Sequence, residues 1–266
     1  ERIRLLQALK SIDQRWEPLV EEAIHAFEHD WNRRTDQAVT TILDLLKGAL
    51  TYKVSRTVKQ NKLVFKSGRE RVKAEVMAEF EDGLRQLEVK AQEQIRANFR
   101  HHVWHMPPDS ILGKDLLSED VSQALGLSKR QLALVGMAAG AASGATIDLS
   151  TAGHTFGAGA LIGAATGGVL GFVGSKALAK LDIERAPGTQ RFTAGPVHNP
   201  RFPFVLLDRI MLYSARAMNW SHGRQAAEES APDKVPEKEI RPTGFTEELS
   251  APQQRDLARF FNAARK

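Results

Sequence analysis

Seven glycines stand four residues apart in two sets: Gly136, Gly140 and Gly144, then Gly159, Gly163, Gly167 and Gly171. Inside a helix each glycine costs roughly 0.5–1 kcal/mol against alanine. Close backbone approach offsets such a cost, because faces of small residues let two helices meet with dispersion and weak Cα–H···O contacts at the seam. The spacing therefore predicts two helices, over 132–149 and 157–175, packed face to face around a turn at 150–155: a glycine-zipper hairpin. Between 132 and 175 the only formally charged side chain is Asp148. Buried near a helix end, its carboxylate requires donors, and Ser150, Thr151 and His154 are the ones within reach.

Two homes suit such a hairpin. One is the centre of a folded body, covered by longer helices. The other is a membrane, since each half approaches the roughly 20 residues that cross a bilayer. Asp148 resists deep insertion. Lys129, Arg130, Lys176 and Lys180 would lie together at the open end, on a cytoplasmic side.

The N-terminal third predicts long helices. Ile12, Trp16, Leu19, Ala23, Phe27 and Trp31, then Ala38, Ile42, Leu45 and Ala49, recur in steps of three and four, one stripe on a helix read over 1–57. Pro18 suits a first turn, so the helix restarts there, with Glu17, Glu21 and Glu22 at its positive end. A second helix is read from about Gly68 to Val103, on Val72, Val76, Phe80, Leu84, Leu87, Ala91, Ile95 and Phe99. The polar segment 58–67 makes the pair an antiparallel hairpin. Further on, Ser118 caps a short helix that ends at Gly126, Ser128 caps the next, 204–220 is helical, and Ser250 caps a last helix from Pro252 to Ala264. The fold class expected is all-α, with room for short strands near 190–198. The expected domains are 1–106, the long hairpin; 107–222, the glycine-zipper hairpin with its capping helix; 223–250, a flexible linker; and 251–266, the C-terminal helix.

Charge and chemistry narrow the function classes. Lys+Arg is 37 against Asp+Glu 32, an excess that permits an acidic partner without demanding one. No cysteine occurs, which removes disulfide frameworks, thiolate zinc sites and cysteine nucleophiles. Lys53, Arg56, Lys59, Lys62, Lys66 and Arg69 form a basic run at the hairpin tip, either a solvated tip or a contact surface for phosphates of lipid or RNA. Only Phe65 interleaves it, so base stacking, and with it nucleic acid, is not expected. His25, Glu28 and His29 match the H-x-x-E-H zinc pattern, yet a catalytic zinc needs a third protein ligand; an ordinary helix surface is the simpler reading. His101, His102 and His105 are read as a helix end, where histidine suits the negative dipole. Asp208 and Arg209 are read as structural salt-bridge partners. No G-x-x-x-x-G-K-[ST] is present, so no nucleotide, metal or catalytic residue is assigned to this chain.

The run 136–149, with Gly153-His154-Thr155-Phe156-Gly157-Ala158-Gly159, resembles an uncharacterised bacterial domain that follows an Era-like P-loop GTP-binding domain. Gly195-Pro196, the stretch from Phe202 to Arg209, and His222-Gly223-Arg224 carry the same resemblance, which spans most of 1–225. It implies that the chain is the C-terminal part of a bacterial GTPase, with GTP and Mg²⁺ in the parent protein's own domain. The function expected is a non-catalytic effector module that couples nucleotide state to a partner or membrane surface. Its partners would be the N-terminal GTP-binding domain and a membrane protein or anionic lipid surface, in the cytoplasm or peripherally at the inner membrane. A membrane-inserting or dynamin-like stalk is the alternative, and a zinc hydrolase using His25, Glu28 and His29 a second one.

Overall fold

The structure, a computed structural model, describes residues 2–10, 12, 14–60, 66–100, 110–128, 130–135, 178–219 and 244–265. In chain order these form α1 (Arg2–Lys10), a 3₁₀ turn (Gln14–Trp16), α2 (Glu17–Thr51), β1 (Val54–Lys59), α3 (Lys66–Asn98), α4 (Glu119–Ala124), β2 (Ala179–Ala186), β3 (Thr189–Val197), α5 (Phe202–Asn219), α6 (Phe245–Glu248) and α7 (Ala251–Ala264). The seven glycines of the proposed zipper lie outside the described residues, as do Asp148, His154, Lys62, His101, His102 and His105.

The all-α expectation is overturned by a three-stranded antiparallel sheet in the order β1-β3-β2. The helix read over 1–57 stops at Thr51, and the last part of that reading is strand. Val54, Ser55, Arg56, Thr57 and Val58 alternate in burial as strand residues do, and β1 pairs with β3 in a register that sets Val54 opposite Ala194 and Lys59 opposite Thr189. Tertiary pairing with a segment far along the chain outweighs the helical phase carried forward from Ala49. The strands expected near 190–198 are one nine-residue strand at the centre of the sheet. β2 and β3 meet through Pro187-Gly188, where proline pre-sets its own φ and Gly188 takes φ 75°. Since β1 belongs to the first expected domain and β3 to the second, the sheet joins the two.

α2 and α3 form a long hairpin: of the first stripe Ala38, Ile42, Leu45 and Ala49 are buried, whereas Ile12, Trp16, Leu19 and Trp31 are exposed. Asn98 Nδ2 donates to Arg34 O at 2.6 Å, and Gly48 lies against Leu87, so α2 and α3 run antiparallel. α3 buries Val72, Val76, Phe80, Leu84, Glu88, Ala91 and Ile95, and Phe99 just past its end is buried too. It ends before Val103, at Asn98, and Arg100 closes it with φ 61°. The proline expected in the first turn of α2 is there. Gly83, a weak point for a lone helix, is where the Tyr52 ring lies; a Cβ at 83 would collide with it, and that ring stacks on Phe80 at 5.7 Å.

The sheet lays Val54, Phe192 and Ala194 toward this hairpin and leaves Ser55, Thr57, Lys59 and Arg191 exposed. α5 is the innermost helix: Phe202, Phe204, Val205, Leu206 and Ile210 are each at most 1 % exposed, and Leu207 is the half-buried position of its first turns. Ser118 caps α4 by accepting from Val121 N. At the start of α7, Gln253 Oε1 accepts from the amide and hydroxyl of Ser250. α7 docks through Phe261, edge-on to Phe204 at 5.0 Å. Residues 223–243 of the expected linker lie outside the described residues, and Thr246, within its last part, is buried.

Gly195 is the tightest point between sheet and hairpin. Its φ is 98°, and a Cβ there would run into Tyr52 O and lie 2.7 Å from Phe80 Cε2. Left-handed strain of about 1–2 kcal/mol and overpacking of about 1–3 kcal/mol add in the same direction. Gly195→Ala is therefore expected to lose at least about 2 kcal/mol of stability, read by urea denaturation; an unchanged midpoint would remove the close approach as a constraint.

Candidate functional site

Asp208 and Arg209 sit next to each other on α5, both buried, and polar groups so placed need partners. About 100° apart on α5, they reach different segments. Asp208 Oδ2 accepts from Gly126 N at 2.7 Å and from Thr246 Oγ1 at 2.8 Å, and Oδ1 accepts from Thr246 N at 2.8 Å. One carboxylate thereby holds both the turn after α4 and the start of the C-terminal pair α6–α7. Gln254 Nε2 donates to Thr246 O at 3.0 Å and Gln131 Nε2 to Glu247 O at 2.8 Å, which close the same joint.

Arg209 works on the other side. Its Nε donates to Glu88 of α3, both side chains being about 5 % exposed or less. Nη1 donates to Ile111 O at 3.0 Å, and Nη2 to Leu112 O at 3.1 Å and Lys114 O at 2.7 Å. A lysine has neither the planar fork nor the donors for this. Asp115 completes the loop, accepting from Leu117 N at 2.8 Å and from Arg85 Nε at 2.6 Å. Burial raises the Asp115 carboxyl, but Arg85 and the Leu117 amide outweigh it and hold it below its ordinary value. At Glu88 burial is the larger influence and pushes the carboxyl up against the pull of Arg209.

The salt-bridge reading of Asp208 and Arg209 needs division. Arg209 makes one, to Glu88. Asp208 is held by neutral donors instead. Glu88 was not among the residues singled out, although its signal is plain: it stands four residues after Leu84, in phase with the apolar stripe of α3.

The basic run is only partly a surface. Arg56 is turned to α3, 2.8 Å from both Glu75 and Glu79. Lys53 and Lys59 are exposed at either end of β1, Lys66 opens α3, and Arg69 is half-buried in its first turn. The sheet brings Arg191 beside Thr57, a neighbour no spacing rule reveals. His25, Glu28 and His29 stand exposed on α2, and no group of three or more possible metal ligands occurs among the described residues. An open groove of about 870 Å³ lies between α2 and the end of α3, lined by residues such as His29, Asp36, Asp44, Gln94 and Asn98. Its threonines already donate to their own helix, Thr40 to Asp36 O and Thr41 to Gln37 O. No helix among the described residues is long and apolar enough to cross a membrane.

Removing Arg209 would strand a buried acid and three carbonyls. Arg209→Met is expected to cost about 3–5 kcal/mol in urea denaturation, and a loss below about 1 kcal/mol would mean the pair contributes little. Asp208 is tested by pH. Burial, with repulsion from Glu247, pushes its carboxyl above the ordinary 3.8 despite its donors. The folded chain then binds this proton more tightly than the unfolded one. The group's contribution is full below that ordinary value and is lost as pH rises through the folded pKa. The stability margin of the wild type over Asp208→Asn is therefore expected to be wider near about pH 4 than near about pH 7; a margin that widens with pH would contradict the assignment.

A family model described as "Domain of unknown function (DUF3482)" matches residues 1–266. No curated protein and no solved structure matches the chain. Coverage from end to end leaves no doubt about membership: the chain belongs to the DUF3482 family.

Proposed function

We propose that the chain is a non-catalytic helical effector module of a bacterial Era-like GTPase, coupling the nucleotide state of an attached GTP-binding domain to a partner or membrane surface. The observation that carries this reading is the double joint on α5. Asp208 fastens the C-terminal pair and the turn after α4, while Arg209 fastens α3 and the loop at 110–115. A coupling element has to pass a displacement between distant ends, and joints of this directional kind favour discrete arrangements over gradual yielding. The hairpin supplies length: α2 has 35 residues, about 50 Å at about 1.5 Å each. The GTPase connection rests on the sequence resemblance, through the stretch from Phe202 to Arg209 that builds this joint. The chain's own residues offer no phosphate loop, so GTP and Mg²⁺ are assigned to the attached domain.

The test is calorimetric titration of the full chain with the Era-like GTP-binding domain, loaded with GDP or with a non-hydrolysable GTP analogue. Coupling of about 1–3 kcal/mol appears as affinities differing roughly 5–150-fold. Equal affinities in the two states, or no binding in either, would overturn the reading.

A further inference from the structure

α2 outruns its partner. Arg34 is level with Asn98, the last residue of α3, and Trp31 still touches Phe99, so the turns of α2 before residue 31 project past the end of α3. α1 folds back against this projection through the 3₁₀ turn, and together they make a two-helix unit. The apolar stripe does not stop where the cover stops. In the body Ala38, Leu45 and Ala49 are at most 4 % exposed, whereas on the projecting unit Leu5 is 65 %, Leu19 67 % and Trp16 45 % exposed. Of α2 before Ala38, only Val20 is buried. A tryptophan and two leucines left in water on one small unit are the mark of a surface that meets something.

Charge says what meets it. α1 carries Arg2, Arg4 and Lys10 and no acid, while from 17 to 28 α2 carries four acids and no lysine or arginine, and Asp30 beyond them is paired with Arg33 and Arg34. An anionic lipid surface attracted by α1 would be repelled by the acidic half of α2. A copy of the same unit has no such conflict. In a two-fold arrangement of four helices, each α1 neighbours its own α2 and the α2 of the other copy, and each α2 likewise neighbours two α1 helices. Every adjacent pair then joins a basic helix to an acidic one, and like charges face each other only across the longer diagonals. Two-helix units with one uncovered apolar side commonly complete themselves this way.

We propose that α1 and the projecting half of α2 are a self-association surface, docking on the same unit of a second copy of the chain with Trp16, Leu19 and Ala23 at the seam. The pairing is isologous and lies away from the joint on α5. It goes beyond the effector reading and does not rest on it: nucleotide-independent binding of a GTPase domain would sink that reading and leave this one standing.

The experiment is sedimentation of the full chain at increasing concentration. A species of twice 29.4 kDa is expected. Leu19→Glu and Trp16→Glu, both at exposed positions, are expected to keep native circular dichroism and weaken association at least about tenfold. The absence of native cysteine supplies an independent probe. Ala23→Cys should be joined to a second copy by a short bismaleimide, and Arg185→Cys on β2 should not, a comparison that decides the matter even if the glutamate variants misfold. A wild type that stays monomeric at every concentration would overturn the proposal, as would a dimer untouched by Leu19→Glu. Binding to phosphatidylglycerol vesicles by a chain that never dimerises would instead assign the face to lipid, and capture of a different protein without self-association would assign it to that protein.

Discussion

A guanidinium with nowhere to find water organises this molecule. Arg209 on α5 is 4 % exposed, and it has to be satisfied from within. Glu88 and three carbonyls of the loop at 111–114 do so, which brings α3 and that loop to α5 at a fixed height. One position earlier, Asp208 does the same for two other segments with nothing but neutral donors. The hydrophobic contacts around these residues supply most of the driving force and little of the direction. The hydrogen bonds supply the direction, because a buried donor or acceptor without its partner costs about 1–3 kcal/mol. Alternative packings of the same apolar surface are penalised through these few groups.

Much of the helical frame was legible. Steps of three and four from Val72 to Ile95 describe the buried side of α3 except at Leu87, which is half-buried beside the buried Glu88, and Ser118, Pro18 and Ser250 mark helix starts where the structure has them. β1 was missed for a physical reason. A stripe that runs to Ala49 carries the eye onward, and nothing local to Val54 announces a partner such as Ala194. The alternating, β-branched stretch Val54-Ser55-Arg56-Thr57-Val58 was the available signal. Glu88 was missed because an acid in phase with leucines reads as an interruption until Arg209 is placed opposite. Arg56 shows the converse limit: within a basic run it reads as surface, yet Glu75 and Glu79 hold it against α3.

α2 also shows how one sequence pattern serves two purposes. The same three-and-four periodicity continues from Trp16 to Ala49, and the reach of the elements packed on α2, which are α3, β3, α5 and α7, decides which part is core. Where α3 ends, identical chemistry turns from packing into an exposed face. Periodicity tells where apolar residues point and not whether anything stands there.

The strand order carries a last consequence, in the time domain. β1 ends at Lys59 and β3 begins at Thr189, 130 residues later. At about 5–20 residues per second a ribosome needs roughly 7–26 s to deliver the missing strand. Through that wait the nascent β1 is an open edge, ready to zip onto any passing extended chain. Lys53, Arg56 and Lys59 bracket and punctuate it, and cations spaced along a waiting edge are what keep such strangers off. Part of the basic run thus reads as a guard for an unfinished protein, kept on a strand that still stands at the sheet's edge once β3 has arrived.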